Sequence, residues 1–75
     1  MKETIRELLE NALPLVDVDS EFLLNELDSL GIASILMVLS DHYHIHLDHS
    51  DVTPRNFKTI ESLAQMVQKK LEEKF

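Results

Sequence analysis

Asp28 and Ser29 are the residues whose types and position predict the most specific chemistry in this sequence. They precede a stretch, LGIASILMVLSDHY, that has the apolar periodicity of an α-helix. The Asp28 carboxylate can cap this helix by accepting from the free amides of its first turn. Ser29 then lies in that turn, where free N–H groups and the positive end of the helix dipole favour an attached anion such as a phosphate. The sequence therefore predicts a site at Ser29 for a phosphorylated group.

The predicted central helix carries two sets of apolar residues. One set begins next to Ser29 and comprises Leu30, Ala33 and Met37. It is rotated about the helix axis away from the other, larger apolar set. Either a neighbouring loop or helix buries the smaller set, or it forms a docking surface for a partner protein. Gly31 costs the helix about 0.5–1 kcal/mol relative to alanine, and we expect its small size to allow a partner to approach closely. The larger set has the spacing of a core face: Ile32, Ile35, Leu36, Leu39 and Tyr43.

Four clustered histidines, His42, His44, His46 and His49, raise the possibility of a metal site. Imidazole is a common ligand for zinc, copper and nickel. However, His44 and His46 would share one side of an extended segment, whereas His42 lies at a helix end. The sequence also has no second cluster of ligands. We therefore expect solvent-exposed loop histidines and no metal site.

Catalysis by Ser29 is a further possibility, because acids and histidines occur in the same chain. The sequence lacks the G-x-S-x-G pattern of a serine nucleophile, and so short a helical chain offers no deep pocket. We expect no catalytic residues and no enzymatic activity.

The composition is that of a small, folded, acidic protein. The chain has 75 residues, 44% of them hydrophobic, with one Gly and two Pro, which predicts a single folded domain over 1–75. It contains no cysteine, no apolar segment of membrane-spanning length and no signal-peptide pattern, so we expect a cytoplasmic protein without membrane insertion. The net charge of −7 disfavours nucleic acid and suits basic protein partners. We expect a monomer.

The first half of the chain is predicted to hold one helix and a long connection. The helix spans about 2–13, and the proline that follows ends it. Thr4 and Glu7 have capping-box spacing, and the alternative is a helix that begins a residue or two earlier. The connection over 15–26 alternates acids with apolar residues, and we expect Phe22 and some of its leucines to fill the core.

The second half completes an all-α prediction. The central helix runs to Tyr43, and an extended segment over 42–49 follows. Thr53 before a proline predicts a short helix through about Phe57, and Thr59 can cap a last helix. The sum is a small helical bundle of three main helices plus one short helix around one aliphatic core. The stripe of the last helix comprises Ile60, Leu63, Ala64, Val67 and Leu71.

Three features together resemble the acyl carrier protein family, which includes peptidyl and aminoacyl carrier domains. LDSLGI at 27–32 is similar to the family's phosphopantetheine-attachment motif, and DVTPRNFKTIESL at 51–63 is similar to its third helix and the start of its fourth. Tyr43 stands where the family keeps an aromatic residue at the end of the second helix. The resemblance covers essentially the whole chain.

The resemblance implies that Ser29 receives a 4'-phosphopantetheine arm from coenzyme A, transferred by a separate phosphopantetheinyl transferase with Mg²⁺. The thiol of the arm would hold an acyl or aminoacyl group as a thioester and present it to an activating ligase and to downstream acyl-transferring enzymes. The resemblance also implies a set of partner-binding residues beside the serine: Asp28, Leu30, Ala33, Met37 and Asp41.

The charge of the central helix departs from one branch of this family. Carriers of fatty acid synthesis line their second helix with several acids, whereas here Asp41 is the acid inside the helix. The Asp-Ser-Leu-Gly start is more similar to D-alanyl or other aminoacyl carriers, which work with an adenylating ligase. The residues do not indicate the cargo, or whether the pathway is that of fatty acids, polyketides, nonribosomal peptides or aminoacyl transfer.

The alternative function is that of a helical protein-interaction module that uses the Leu30, Ala33 and Met37 face and carries no arm. Ser29 discriminates between the two functions, because an interaction module has no need of that hydroxyl.

Overall fold

Three α-helices and two 3₁₀ turns form the fold in a computed structural model, which describes residues 1–74. The helices are α1 (Lys2–Ala12), α2 (Ser29–Tyr43) and α3 (Ile60–Lys74), and the 3₁₀ turns span Leu23–Glu26 and His49–Asp51. The described residues contain no strand, so the all-α prediction is confirmed. None of the helices in this part of the chain is long and apolar enough to cross a membrane.

All three helices contribute to one apolar core. The predicted core face of α2 supplies Ile35, Leu36 and Leu39, and Ile32 and Tyr43 pack against the core while partly buried. Full burial of a leucine or isoleucine side chain contributes roughly 1.5–3 kcal/mol. The largest fully buried members come from the helices and from two connecting segments: Ile5, Leu9, Leu23, Ile35, Leu39, Phe57, Leu63 and Val67.

The start of α1 differs from the predicted capping box. Met1 is the N-cap, and the amide of Ile5 donates to the carbonyl of Met1 at 3.0 Å. Thr4 therefore already lies inside the first turn, where it cannot cap. The Thr4–Glu7 capping box is wrong because the helix begins two residues before Thr4.

The connection between α1 and α2 places Leu23, not Phe22, in the core. The amides of Leu23 and Leu24 donate to the carbonyls of Lys58 and Phe57 at 2.8 and 2.9 Å. These bonds fix the local backbone with Leu23 fully buried, so its neighbour Phe22 is turned outward and remains 59% exposed. The expectation that Phe22 fills the core is therefore wrong. Its ring instead lies 6.0 Å from the ammonium nitrogen of Lys58.

The predicted short helix at Thr53–Phe57 is a single hydrogen-bonded turn. The amide of Phe57 donates to the carbonyl of Thr53 at 3.0 Å, and the amide of Asn56 donates to the Thr53 hydroxyl at 3.0 Å. Beyond this turn, the carbonyl of Asn56 accepts from the Ser62 hydroxyl at 2.7 Å and the carbonyl of Phe57 accepts from the amide of Leu24 at 2.9 Å. The short helical element lies earlier, at His49–Asp51.

Thr59 caps α3 as predicted. The amide of Ser62 donates to the Thr59 hydroxyl at 3.1 Å, and the amide of Thr59 donates to the Ser62 hydroxyl at 2.9 Å. This reciprocal pair satisfies two amides at the helix start.

Candidate functional site

The first turn of α2 presents Ser29 on the surface. Asp28 is the N-cap, in extended backbone conformation, and its carboxylate accepts from the amide of Gly31 at 2.7 Å. The amide of Ile32 then makes the first intrahelical bond, to the carbonyl of Asp28 at 3.0 Å. Ser29 is the first residue of the helix and is exposed. The predicted cap is therefore confirmed, and the hydroxyl stands at the positive end of the helix dipole.

Gly31 leaves room for the capping carboxylate of Asp28. It is buried, and a Cβ at this position would lie 3.3 Å from the capping oxygen of Asp28 and 3.3 Å from Cδ2 of Leu27. Contacts this short would force one of these groups to shift. The expectation that its small size also admits a partner stays a prediction.

The smaller apolar set of α2 lies in solvent. Leu30 is 78% exposed, Met37 is 60% exposed, and Ala33 between them is also exposed. The interpretation in which a neighbouring loop or helix buries this set is therefore wrong for the described part of the chain. We call these three residues the outer face of α2. Asp28 and Asp41, the predicted acidic partner contacts, are exposed as well.

A groove of about 290 Å³ begins at Ser29. It runs between α2 and the second 3₁₀ turn and is lined by Ser29, Ile32, Ala33, His49 and Val52. Its lining is therefore largely aliphatic, with a hydroxyl and an imidazole as polar groups. We call it the Ser29 groove.

Asp48 and Asp51 stabilise the second 3₁₀ turn, which forms the side of the Ser29 groove opposite α2. The Asp48 carboxylate accepts from the amide of Ser50 at 2.9 Å, and the amide of Asp48 donates to Asp51 at 3.1 Å, which completes a capping box. Hydrogen bonds from Ser50 lower the pKa of Asp48, and the bond from the hydroxyl has a larger effect than the bond from the amide. Asp51 also pairs with Lys70 of α3 at 3.1 Å, and this bond raises the pKa of the lysine.

Sequence reasoning did not assign His49 or Val52 to the neighbourhood of Ser29. The Asp48-x-x-Asp51 spacing is a capping signal that predicts a helical turn at this point. It does not indicate which part of the molecule the turn packs against.

The four histidines do not converge. His42 packs edge-on against Tyr43, with ring centroids 4.8 Å apart, and Nε2 of His46 lies 3.4 Å from the Asp48 carboxylate. His44 ends α2 in the left-handed conformation, with φ at 54°, and its carbonyl accepts from the ammonium group of Lys74 at 2.7 Å. Over residues 1–74, no group of three or more His, Cys, Asp or Glu side chains is arranged to hold a metal ion.

These observations define a class of protein before any comparison. The protein is a small helical bundle with a capped helix start, an exposed serine and an uncovered apolar face beside it. Residues 1–67 match the family model described as a phosphopantetheine attachment site. The chain therefore belongs to the phosphopantetheine-binding family of acyl carrier proteins, whose cofactor is covalently bound 4'-phosphopantetheine. No curated protein and no solved structure matches the chain.

The residues at the start of α2 fit this cofactor. The Ser29 hydroxyl is exposed, the helix start favours the negative charge of a phosphodiester, and the Ser29 groove offers aliphatic side chains beside it.

Proposed function

We propose that this protein carries an acyl or aminoacyl group as a thioester on a 4'-phosphopantetheine arm attached to Ser29. The observation that supports this most directly is the exposure of Ser29 as the first residue of α2, beside its capping aspartate. Family membership supports a phosphopantetheine carrier in general, and the choice of this serine is our inference from its position.

Attachment needs little from the carrier itself. The Ser29 oxygen forms a bond to the phosphorus of the phosphopantetheine moiety of coenzyme A, while the P–O bond of the pyrophosphate breaks and adenosine 3',5'-bisphosphate leaves. The transferase supplies the base that takes the hydroxyl proton and the Mg²⁺ that neutralises the phosphates. The chain contributes a rigid helix start that holds the hydroxyl in one place and a dipole that favours the new phosphodiester charge.

The outer face of α2 serves as the partner surface in this proposal. Leu30, Ala33 and Met37 provide apolar area directly beside Ser29, and Asp28 and Asp41 provide negative charge at either end. The chain has no Lys or Arg between residues 7 and 54 and ten acids over the same span. Partners that act on Ser29 are therefore expected to present basic, partly apolar surfaces.

The phosphopantetheinyl transferase is one such partner, and an adenylating ligase that loads the cargo is another. We favour an aminoacyl-type carrier over one of fatty acid synthesis because Asp41 is the only acid within α2. A recognition surface that depends on a row of acids along this helix is thus missing from the sequence of α2.

The test of the attachment site is intact-mass analysis after incubation with coenzyme A, Mg²⁺ and a broad-specificity transferase. We expect the wild-type chain to gain one phosphopantetheine group and Ser29→Ala to gain none. Ser40→Ala, in the same helix, is the matched control and should be modified like the wild type.

No modification of the wild type, under conditions that modify a control carrier, would reject the carrier function. It would favour the alternative in which the outer face of α2 binds another protein without any arm.

A further inference from the structure

A second groove, separate from the Ser29 groove, lies between the end of α1 and the start of α2. It measures about 390 Å³, and the loop after α1 forms one wall while Leu27 and the first turn of α2 form the other. Its lining includes the apolar side chains of Leu13, Leu15 and Leu30. Because Leu15 stands at its rim, we call it the Leu15 groove.

Leu15 is exposed to an extent that the fold does not explain. Its side chain is 99% exposed, more than the other large apolar side chains on the described surface. The backbone around it is nevertheless held, because the amide of Leu13 donates to Leu9 at 2.7 Å and the amide of Val16 donates to Leu13 at 3.1 Å. Burial of this leucine by another protein would be favourable, and a loop that is already ordered loses little freedom on binding.

The charge around the Leu15 groove indicates the chemistry of its occupant. Glu26 and Asp28 are among the lining residues. No Lys or Arg occurs between residues 7 and 54, and the groove lining contains no basic residue beside Glu26 and Asp28. A matching surface would insert an apolar side chain and place Lys or Arg around it.

The position of the groove indicates which partner would use it. Asp28 and Leu30 line it and also flank Ser29 in the chain. An enzyme that reaches the Ser29 oxygen must cover the first turn of α2, and it can then contact the loop after α1 across this groove.

We propose that the Leu15 groove is a docking site for the phosphopantetheinyl transferase, which inserts an apolar side chain flanked by basic residues. This inference rests on the proposed attachment of the arm to Ser29. It adds a contact outside α2 to the partner surface, through the Leu15 side chain, which lies in solvent and is not part of the core.

Steady-state kinetics of arm transfer by a purified transferase test the proposal, with the carrier as the varied substrate. Leu15→Glu should raise KM for the carrier about tenfold with kcat nearly unchanged, because the charge opposes docking and leaves Ser29 untouched. Leu15→Ala should have a smaller effect in the same direction. Phe22→Glu is the matched control, because Phe22 is also an exposed apolar residue of the α1–α2 connection but is absent from the groove lining.

The proposal would be overturned if Leu15→Glu had the same KM as the wild type, or if it lowered kcat alone. An equal rise in KM for Phe22→Glu would overturn it as well. Circular dichroism should show the same helix content in all four proteins, since both substituted side chains lie in solvent. Modification of the wild type at Ser29 in the same assay separates the two hypotheses: the arm site then stands even if the Leu15 groove does not.

Discussion

At the scale of single residues, Ser29 lies exposed at a helix start that the neighbouring Asp28 caps. Asp28 takes the amide of Gly31, and Gly31 leaves room for that carboxylate by having no side chain. The cap is therefore supplied by Asp28 and not by the serine hydroxyl. The same local arrangement keeps it at the positive end of the helix dipole, where an attached phosphodiester is favoured.

Met37→Glu tests the role of the outer face of α2 at this scale. The side chain is 60% exposed, so the new charge should leave the fold intact and should weaken loading by the partner ligase about tenfold through KM. The measurement is the rate of cargo transfer to the holo protein, with helix content followed by circular dichroism. Unchanged loading kinetics would remove Met37 from the partner surface.

At the scale of elements, α2 divides its apolar residues between a buried face and an exposed face. Leu36 and Met37 are neighbours in the chain, yet one is 7% exposed and the other 60%. A rotation of about 100° per residue in an α-helix separates them. One face of α2 thus contributes to folding, while the other is available for contacts with other proteins.

This division predicts opposite effects of two alanine substitutions. Leu36→Ala should lower the free energy of unfolding by about 2–5 kcal/mol, because it removes buried methyl groups and leaves a cavity. Met37→Ala should change it by less than about 0.5 kcal/mol, as expected for a surface position. Urea denaturation followed by circular dichroism measures both values. A nearly neutral Leu36→Ala would show that the two faces are assigned the wrong way round.

At the scale of the whole molecule, the charge is distributed unevenly along the chain. Residues 1–53 hold eleven acids and two bases, a net of −9, and residues 54–75 hold five bases and three acids, a net of +2. Both grooves and the outer face of α2 are formed by residues of the acidic stretch 1–53. Encounters with basic partners should therefore be accelerated by long-range attraction.

The attraction predicts a strong salt dependence of arm transfer. The kcat/KM should fall as ionic strength rises from ~0.01 to ~0.15 M, because the screening length shrinks from about 30 to about 8 Å. Stopped-flow or initial-rate measurements of kcat/KM over this range of ionic strength test the prediction. Asp41→Asn should flatten the dependence, whereas Glu72→Gln near the end of α3 should not. A rate that is independent of salt would argue against electrostatic steering.

Local patterns in the sequence were enough to predict the three α-helices and the capped start of α2, but not the short helical element. Apolar spacing of 3.6 residues decides which face of a helix can be buried, so the core residues Ile35, Leu36 and Leu39 were predictable. Capping depends on residues that are three or four positions apart, so Asp28 and Thr59 were predictable as well. These features are determined by short-range geometry, which the sequence displays directly.

Contacts between distant segments decided the rest, because periodicity carries no information about which segments meet. Hydrogen bonds from Leu23 and Leu24 to a backbone more than thirty residues away turned Phe22 outward, contrary to expectation. An ion pair between Asp51 and Lys70 helps to place His49 beside Ser29, and packing of the α1 loop against α2 creates the Leu15 groove. Such contacts depend on how the three helices pack around the core, so only the tertiary structure could reveal them.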